Sequence, residues 1–180
     1  MKYLILILLF LGSHAIRLCG QTILPTPDYL EKANGQLQLQ GKIRMHTQDA
    51  SASFLHLFYE KLIPKSAVEW CGEKGHSQIS WEKDATLPAE GYRILVTPEK
   101  MTVRAADNAG FIYAVQSLRQ WGTREGDKLI FPCAEITDFP RVKWRSFMLD
   151  SGRQYQKVST IKKYIDMASM LKMNYFHWHL

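Results

Sequence analysis

Arg145-Ser146-Phe147-Met148-Leu149-Asp150-Ser151-Gly152-Arg153 and Lys172-Met173-Asn174-Tyr175-Phe176-His177-Trp178-His179-Leu180 are two strand-like stretches separated by one helix-length of chain. Residues 145–150 read as a strand ending in an acidic residue and a small-residue turn. Between the stretches, Val158, Ile161, Tyr164, Ile165, Ala168 and Leu171 recur at helical intervals and form one apolar stripe. Residues 174–180 read as a second strand, rich in aromatics. Strand, helix, strand with a single apolar helix face specifies a βαβ unit: two parallel strands joined by a right-handed crossover. A parallel pair by itself leaves open edges and one uncovered face, whereas parallel sheets are normally buried on both sides. The expectation is a chain cut short within a larger parallel sheet.

Upstream the pattern differs. Leu24-Pro25-Thr26-Pro27 is an extended entry, because each proline fixes its own φ and pushes its predecessor toward β geometry. Residues 36–40 alternate, with Leu37 and Leu39 on one face of a half-buried strand. Phe54, Leu55, Phe58 and Leu62 predict an amphipathic helix over residues 52–63, capped by Ser51 or Ser53 and stopped by Pro64. Residues 64–75 read as an irregular connection. Strands are predicted at residues 78–81, 92–97 and 101–105, the last two joined by the turn Pro98-Glu99-Lys100. A second helix follows, with Asp107 or Asn108 as cap, Phe111, Ile112, Val115 and Leu118 as its apolar face, and Gly122 as its C′ stop. Residues 21–138 are therefore expected to form an α+β domain with helices on one face of a mainly antiparallel sheet, and residues 139–180 the βαβ unit.

The first 20 residues have the layout of a cleaved export signal: Lys2, an apolar run over residues 3–11, and small residues at Ser13-His14-Ala15, with a further cut available after Gly20. The run is shorter than the roughly 20 residues that span a bilayer, so no membrane span is expected in the mature chain. Acylation at Cys19 is the weaker alternative, because bulky Leu18 sits where a small side chain belongs. Either way the expected location is outside the cytoplasm. Cys71 and Cys133 then remain; they could pair in an oxidising compartment, or serve equally well as small buried apolar groups.

The 23 Lys and Arg against 17 Asp and Glu give a formal charge of +6, but the basic residues are scattered and Lys162-Lys163 is their only adjacent pair. No stripe tracks a phosphate backbone, so nucleic acid is not an expected partner. His177 and His179 share one strand face, as metal-binding pairs do, yet zinc takes three or four protein ligands and no convergent partner precedes them. Neither a metal nor any other cofactor is expected. Glu135, Asp138 and Asp150 are read as solvated carboxylates by default.

Taken together, residues 145–153 and 172–180 resemble the first two strands of the catalytic barrel of family 20 glycoside hydrolases, the β-N-acetylhexosaminidases. Pro25-x-Pro27 is similar to that family's entry to its N-terminal domain, Gly91-Tyr92-Arg93-Ile94 to its central hairpin, and Ala109-Gly110-Phe111-Ile112-Tyr113-Ala114-Val115-Gln116-Ser117-Leu118 to its long helix. The resemblance implies the α+β N-terminal domain followed by the first β-α-β of a truncated (β/α)8 TIM barrel. It also implies a glycan substrate with a terminal N-acetylhexosamine, GlcNAc or GalNAc.

In that family an arginine in the loop after the first barrel strand holds hydroxyls of the terminal sugar, and Arg153 matches it. A guanidinium offers a rigid fork of donors to vicinal oxygens, and such barrels place their sites at strand C-termini. Asp150, at the strand end, is a candidate to orient that fork by a charge-assisted bond. The family commonly has His after this arginine; here Gln154 can hydrogen-bond but cannot carry a proton. The family's adjacent Asp-Glu pair, which supplies the acid and steadies the attacking 2-acetamido group in a substrate-assisted route, occurs nowhere in the 180 residues, so no catalytic residue is assigned and the chain alone is expected to be inactive. Two rival readings are a secreted carbohydrate-binding module using Trp and Tyr platforms and a metal-dependent barrel hydrolase using His177 and His179.

Overall fold

A computed structural model describes residues 22–48 and 52–180. The leader, Cys19 and the alternative cap Ser51 lie outside the described residues. No described helix is long and apolar enough to cross a membrane.

Eight strands form the main sheet: β1 (Tyr29–Leu39), β2 (Ile43–Thr47), β3 (Val68–Trp70), β4 (Ile79–Lys83), β5 (Tyr92–Val96), β6 (Met101–Ala105), β7 (Thr123–Glu125) and β8 (Lys128–Asp138). Their order is β1-β8-β5-β6-β4-β2-β3, with β7 also on β8. The expected mainly antiparallel sheet is in fact mixed. β1, β5 and β7 run antiparallel to β8, and β5 to β6, whereas β6, β4, β2 and β3 are mutually parallel. The parallel half arises because the chain leaves β2 through helix α1 (Phe54–Lys61) before returning, and a helical crossover brings a strand back in the same direction. The stretch read as irregular after Pro64 contains the short edge strand β3 between two single 3₁₀ turns.

β5 shows how the layers divide: Tyr92, Ile94 and Val96 are buried while Arg93 and Leu95 face out. On the covered face lie α1 and α2 (Asn108–Trp121), which pack on each other, with α2 against β5 and β6. Phe54 of α1 stacks on Phe111 of α2 at 4.6 Å, and both meet Trp81 of β4, at 4.7 and 6.0 Å between ring centroids. The apolar spacing read from the sequence thus becomes one aromatic cluster between helices and sheet.

Local chemistry sets the helix ends. Asp107 is the cap of α2, its Oδ1 accepting from Gly110 N at 2.9 Å. Ser53 stands at the start of α1 without a capping bond, its Oγ accepting from Asn108 Nδ2 instead. Gly122 does follow α2, but with φ −81° rather than the left-handed value of a C′ stop. Its absent Cβ matters for another reason: a methyl there would lie 2.6 Å from the Phe131 ring.

β8 runs through Pro132, a residue that interrupts strand hydrogen bonding. It is tolerated because β7 pairs with β8 only as far as Ile130 and β5 only from Ala134, leaving position 132 without a ladder bond on that side. On the other side Pro132 stands opposite Gln36, at the edge of a register break in β1 between Lys32 and Gln36.

Beyond the sheet, β9 (Ser146–Asp150), α3 (Val158–Met170) and β10 (Tyr175–His179) form the second unit. β9 and β10 are parallel, in register from Ser146 opposite Tyr175 to Asp150 opposite His179. α3 docks on α2 through Arg119, which grips Asp166 with two bonds of 3.2 and 2.8 Å, and through Gln116 Nε2, which donates to Ser169 Oγ at 2.7 Å. Cys71 and Cys133 are both free thiols, so the pairing alternative is not formed; burial raises the Cys133 thiol above its ordinary range.

Candidate functional site

Two places concentrate polar chemistry, at opposite ends of β9 and β10. At the C-terminal end, the loop leaving β9 is held by its own strand neighbours. Ser151 N donates to His179 O at 2.9 Å, and Trp178 Nε1 donates to Ser151 Oγ at 3.0 Å. Asp150 faces Arg153 twice, with Oδ1 accepting from Arg153 N at 3.0 Å and Oδ2 lying 3.4 Å from Nε. The carboxylate therefore shapes the turn as much as it touches the guanidinium. Arg153 itself is 91% exposed, so its fork of donors is free to meet an oxygen-rich ligand.

His177 and His179 lie on the same strand face with ring centroids 6.5 Å apart, as the HxH spacing predicts. Among the described residues no third His, Cys, Asp or Glu converges on them. Gln154 is exposed beside Arg153 and, among the described residues, has no side-chain partner. The aromatic residues around this end, Tyr155 and Trp178, are exposed at 82% and 46%.

The other place is the base of the unit, where a cleft of about 370 Å³ opens between the second unit and the sheet, lined by Tyr92, Tyr113, Asp138, Arg145 and Lys172 among others. Lys172 is only 6% exposed. Its Nζ donates to Asp138 Oδ2 at 2.7 Å and to the Tyr92 hydroxyl at 2.8 Å. Tyr92 also meets Ser117 Oγ at 2.6 Å and donates to Asp138 Oδ2 at 3.1 Å. Burial pulls the Lys172 ammonium below its ordinary value, opposed by the carboxylate of Asp138. Burial, reinforced by the same carboxylate, pushes the Tyr92 phenol well up.

Next to it, Arg145 spends its guanidinium on four acceptors: Lys172 O at 2.7 Å, Val142 O at 2.7 Å, Glu90 Oε2 at 2.6 Å and the Tyr113 hydroxyl at 2.8 Å. Asn174 ties the same strand starts together, donating to Lys143 O and accepting from Arg145 N. The four charges of Lys172, Asp138, Arg145 and Glu90 are paired with one another inside the protein. This end is built as a joint between the two units.

Sequence reasoning placed Asp138 among solvated carboxylates, and the structure corrects this. Its side chain is 13% exposed and bonded to a buried lysine, because β8 ends where Lys172 turns out of α3. Lys172, Arg145 and Glu90 were not singled out at all. For Arg145 and Lys172 the one local signal was a cation ahead of each strand of the βαβ unit, and Glu90 had none; the partners sit 34 to 80 positions away in sequence and only the fold unites them.

Comparison with known proteins places these two units in one lineage. The family model for glycosyl hydrolase family 20, domain 2, matches residues 20–139, and that for the family's catalytic domain matches residues 142–180. A beta-hexosaminidase of Porphyromonas gingivalis is 35% identical over 175 residues, covering 89% of this chain and 22% of that protein. The crystal structure of a beta-N-acetylhexosaminidase from Bacteroides fragilis superposes with a TM-score of 0.85 at 74% identity, over 89% of this chain and 33% of that one. A mutant beta-hexosaminidase of Streptomyces plicatus, solved in complex with product GlcNAc, matches at 26% identity with a TM-score of 0.75, over 88% of this chain and 34% of that one. The chain spans 26%, 21% and 22% of the length of three curated relatives, about a quarter in each case.

Proposed function

The chain belongs to glycosyl hydrolase family 20, and from that membership we propose that it is the N-terminal part of an exported enzyme removing terminal β-linked N-acetylhexosamine from glycans. Residues 21–138 are the family's N-terminal domain and residues 139–180 open its (β/α)8 barrel, with β9 and β10 as the first two barrel strands. Residues 1–20 are the export signal.

The observation that carries the reading is the loop after β9. It leaves the C-terminal end of a parallel strand, where barrel enzymes of this kind place their sites, and it presents the exposed guanidinium of Arg153. Arg153 binds hydroxyls of the terminal sugar, and Asp150 sets the turn from which it reaches out. The Streptomyces plicatus relative holds GlcNAc, which supports an N-acetylhexosamine as the ligand class. Hydrolysis is substrate-assisted and retaining: the sugar's own 2-acetamido oxygen attacks the anomeric carbon while an acid protonates the leaving oxygen. Neither carboxylate of that step can come from an Asp-Glu pair in these 180 residues, because they contain none. The chain by itself is therefore inactive. The reported relatives are hydrolases and lend no support to a free-standing binding module.

The test uses the complete gene product alongside the 180-residue chain, with a chromogenic N-acetylglucosaminide. The complete protein turns it over, the 180-residue chain does not, and Arg153→Ala in the complete protein lowers kcat/KM roughly a hundredfold through loss of charge-assisted bonds. Turnover by the 180 residues alone, or an Arg153→Ala enzyme as efficient as its parent, would sink the assignment.

A further inference from the structure

Among the described residues only two that are not glycine have a left-handed backbone: Glu90 at φ 61° and Lys172 at φ 60°. A side chain there costs free energy that glycine would avoid, so a non-glycine residue at such a position points to a use for its side chain. Both side chains go to the same place. Glu90 accepts from Arg145 at 2.6 Å and Lys172 donates to Asp138 and Tyr92, so each strained residue supplies one strut of the joint between the sheet and the second unit.

Lys172 is a strut in two directions. Its side chain enters the sheet domain, while its carbonyl accepts from Arg145 Nε at 2.7 Å, tying the turn before β10 to the residue just before β9. The bases of the two parallel strands are thus fixed to each other and to the sheet. Their opposite ends carry the turn of Asp150, Ser151 and Arg153. Five-residue strands put roughly 15 Å between base and tip. A tilt of about 5° at the base then moves the tip by about 1 Å, a displacement large enough to matter at an active site.

We infer that Glu90 and Lys172 are positioning residues: by clamping the base of β9 and β10 to the sheet, they fix the aim of the Arg153 loop. The inference rests on the proposed role of Arg153, and it gives the N-terminal domain, through Glu90, Tyr92 and Asp138, a part in substrate binding.

Glycine is the informative replacement, because it keeps the left-handed backbone without strain while deleting the strut. Glu90→Gly, Lys172→Gly and the pair are made in the complete protein. Two readouts follow: mass-spectrometric hydrogen exchange over residues 146–157, which needs no substrate, and KM against kcat for the chromogenic N-acetylglucosaminide. The expected result for the pair is exchange over residues 146–157 roughly tenfold faster and a KM raised roughly tenfold with a smaller change in kcat. Unchanged exchange and KM alongside a lowered Tm would overturn the inference and reduce the struts to an ordinary interface. Faster exchange in the pair, in a protein whose unsubstituted form shows no turnover, would keep the clamp and refute the hydrolase reading instead.

Discussion

Trp81, in the middle of the sheet domain, is 1% exposed, whereas Trp178, near the tip of β10, is 46% exposed. The contrast runs through both regions. Residues 23–136 contribute one continuous buried cluster drawn from the sheet and its two helices. In the β9–α3–β10 unit Ile161 is the only buried apolar side chain, while Met148, Val158, Ile165 and Met167 stand exposed. The first region is held by burial of apolar area; the second is held onto it by directed polar bonds, Arg119 to Asp166, Gln116 to Ser169, Lys172 to Asp138 and Arg145 to Glu90. Apolar burial is indifferent to direction, but a bonded ion pair is not. The sheet domain supplies stability, and the joint supplies orientation. An exposed apolar face on the second unit is what further packing would cover, in keeping with the barrel proposed above.

The contrast breaks most visibly at Trp81. Trp81→Ala removes the side chain that meets Phe54, Phe58 and Phe111, and it should cost about 3–5 kcal/mol in denaturant unfolding. Trp81→Phe should cost clearly less, since the indole N–H has no partner among the described residues to lose. A small effect of the alanine variant would mean that the cluster is not the domain's foundation.

The polar side is sharpened by acid. Arg119, assisted by Lys61, bonds to Asp166 and holds its carboxyl below the ordinary 3.8. As pH falls, the unfolded chain therefore takes up this proton first. The contribution of Asp166 is complete above 3.8 and fades as pH drops through the lowered folded value. At neutral pH Asp166→Asn should cost less than about 1 kcal/mol, because the pair is partly solvated. The gap between parent and variant should close in acid titration of the unfolding midpoint; a gap that widens in acid contradicts the assignment. The smallest effect belongs to the exposed face. Ile165→Ser in the 180-residue chain should change stability by no more than about 0.5 kcal/mol by the same unfolding measurement, and a larger loss would show that this face is already packed.

What could be read in the sequence follows the range of the forces involved. β6, the cap at Asp107 and the stripe of α3 depend on residues close in the chain, and periodicity shows them directly. β8 was hidden by Pro132, whose tolerance depends on where β5 and β7 end on a neighbouring edge. The parallel half of the sheet was hidden because pairing direction is decided by crossover connections and not by the alternation within a strand. At the candidate site, Asp150 and Arg153 are three positions apart and could be paired from the sequence. The joint could not, since Lys172 meets Tyr92 and Asp138 only after the two units have docked.

The bulge in β1 has a consequence for how copies of the protein meet one another. β1 is the outermost strand, 11 residues long and largely exposed, the kind of border on which a second chain can crystallise its own strand and start a stack. The register break between Lys32 and Gln36 interrupts that border midway, and Glu31 and Lys32 add charge beside the break. A would-be neighbour finds no long, flat run of donors and acceptors to copy, so concentrated solutions are guarded against edge-to-edge aggregation by a single irregularity beside Pro132.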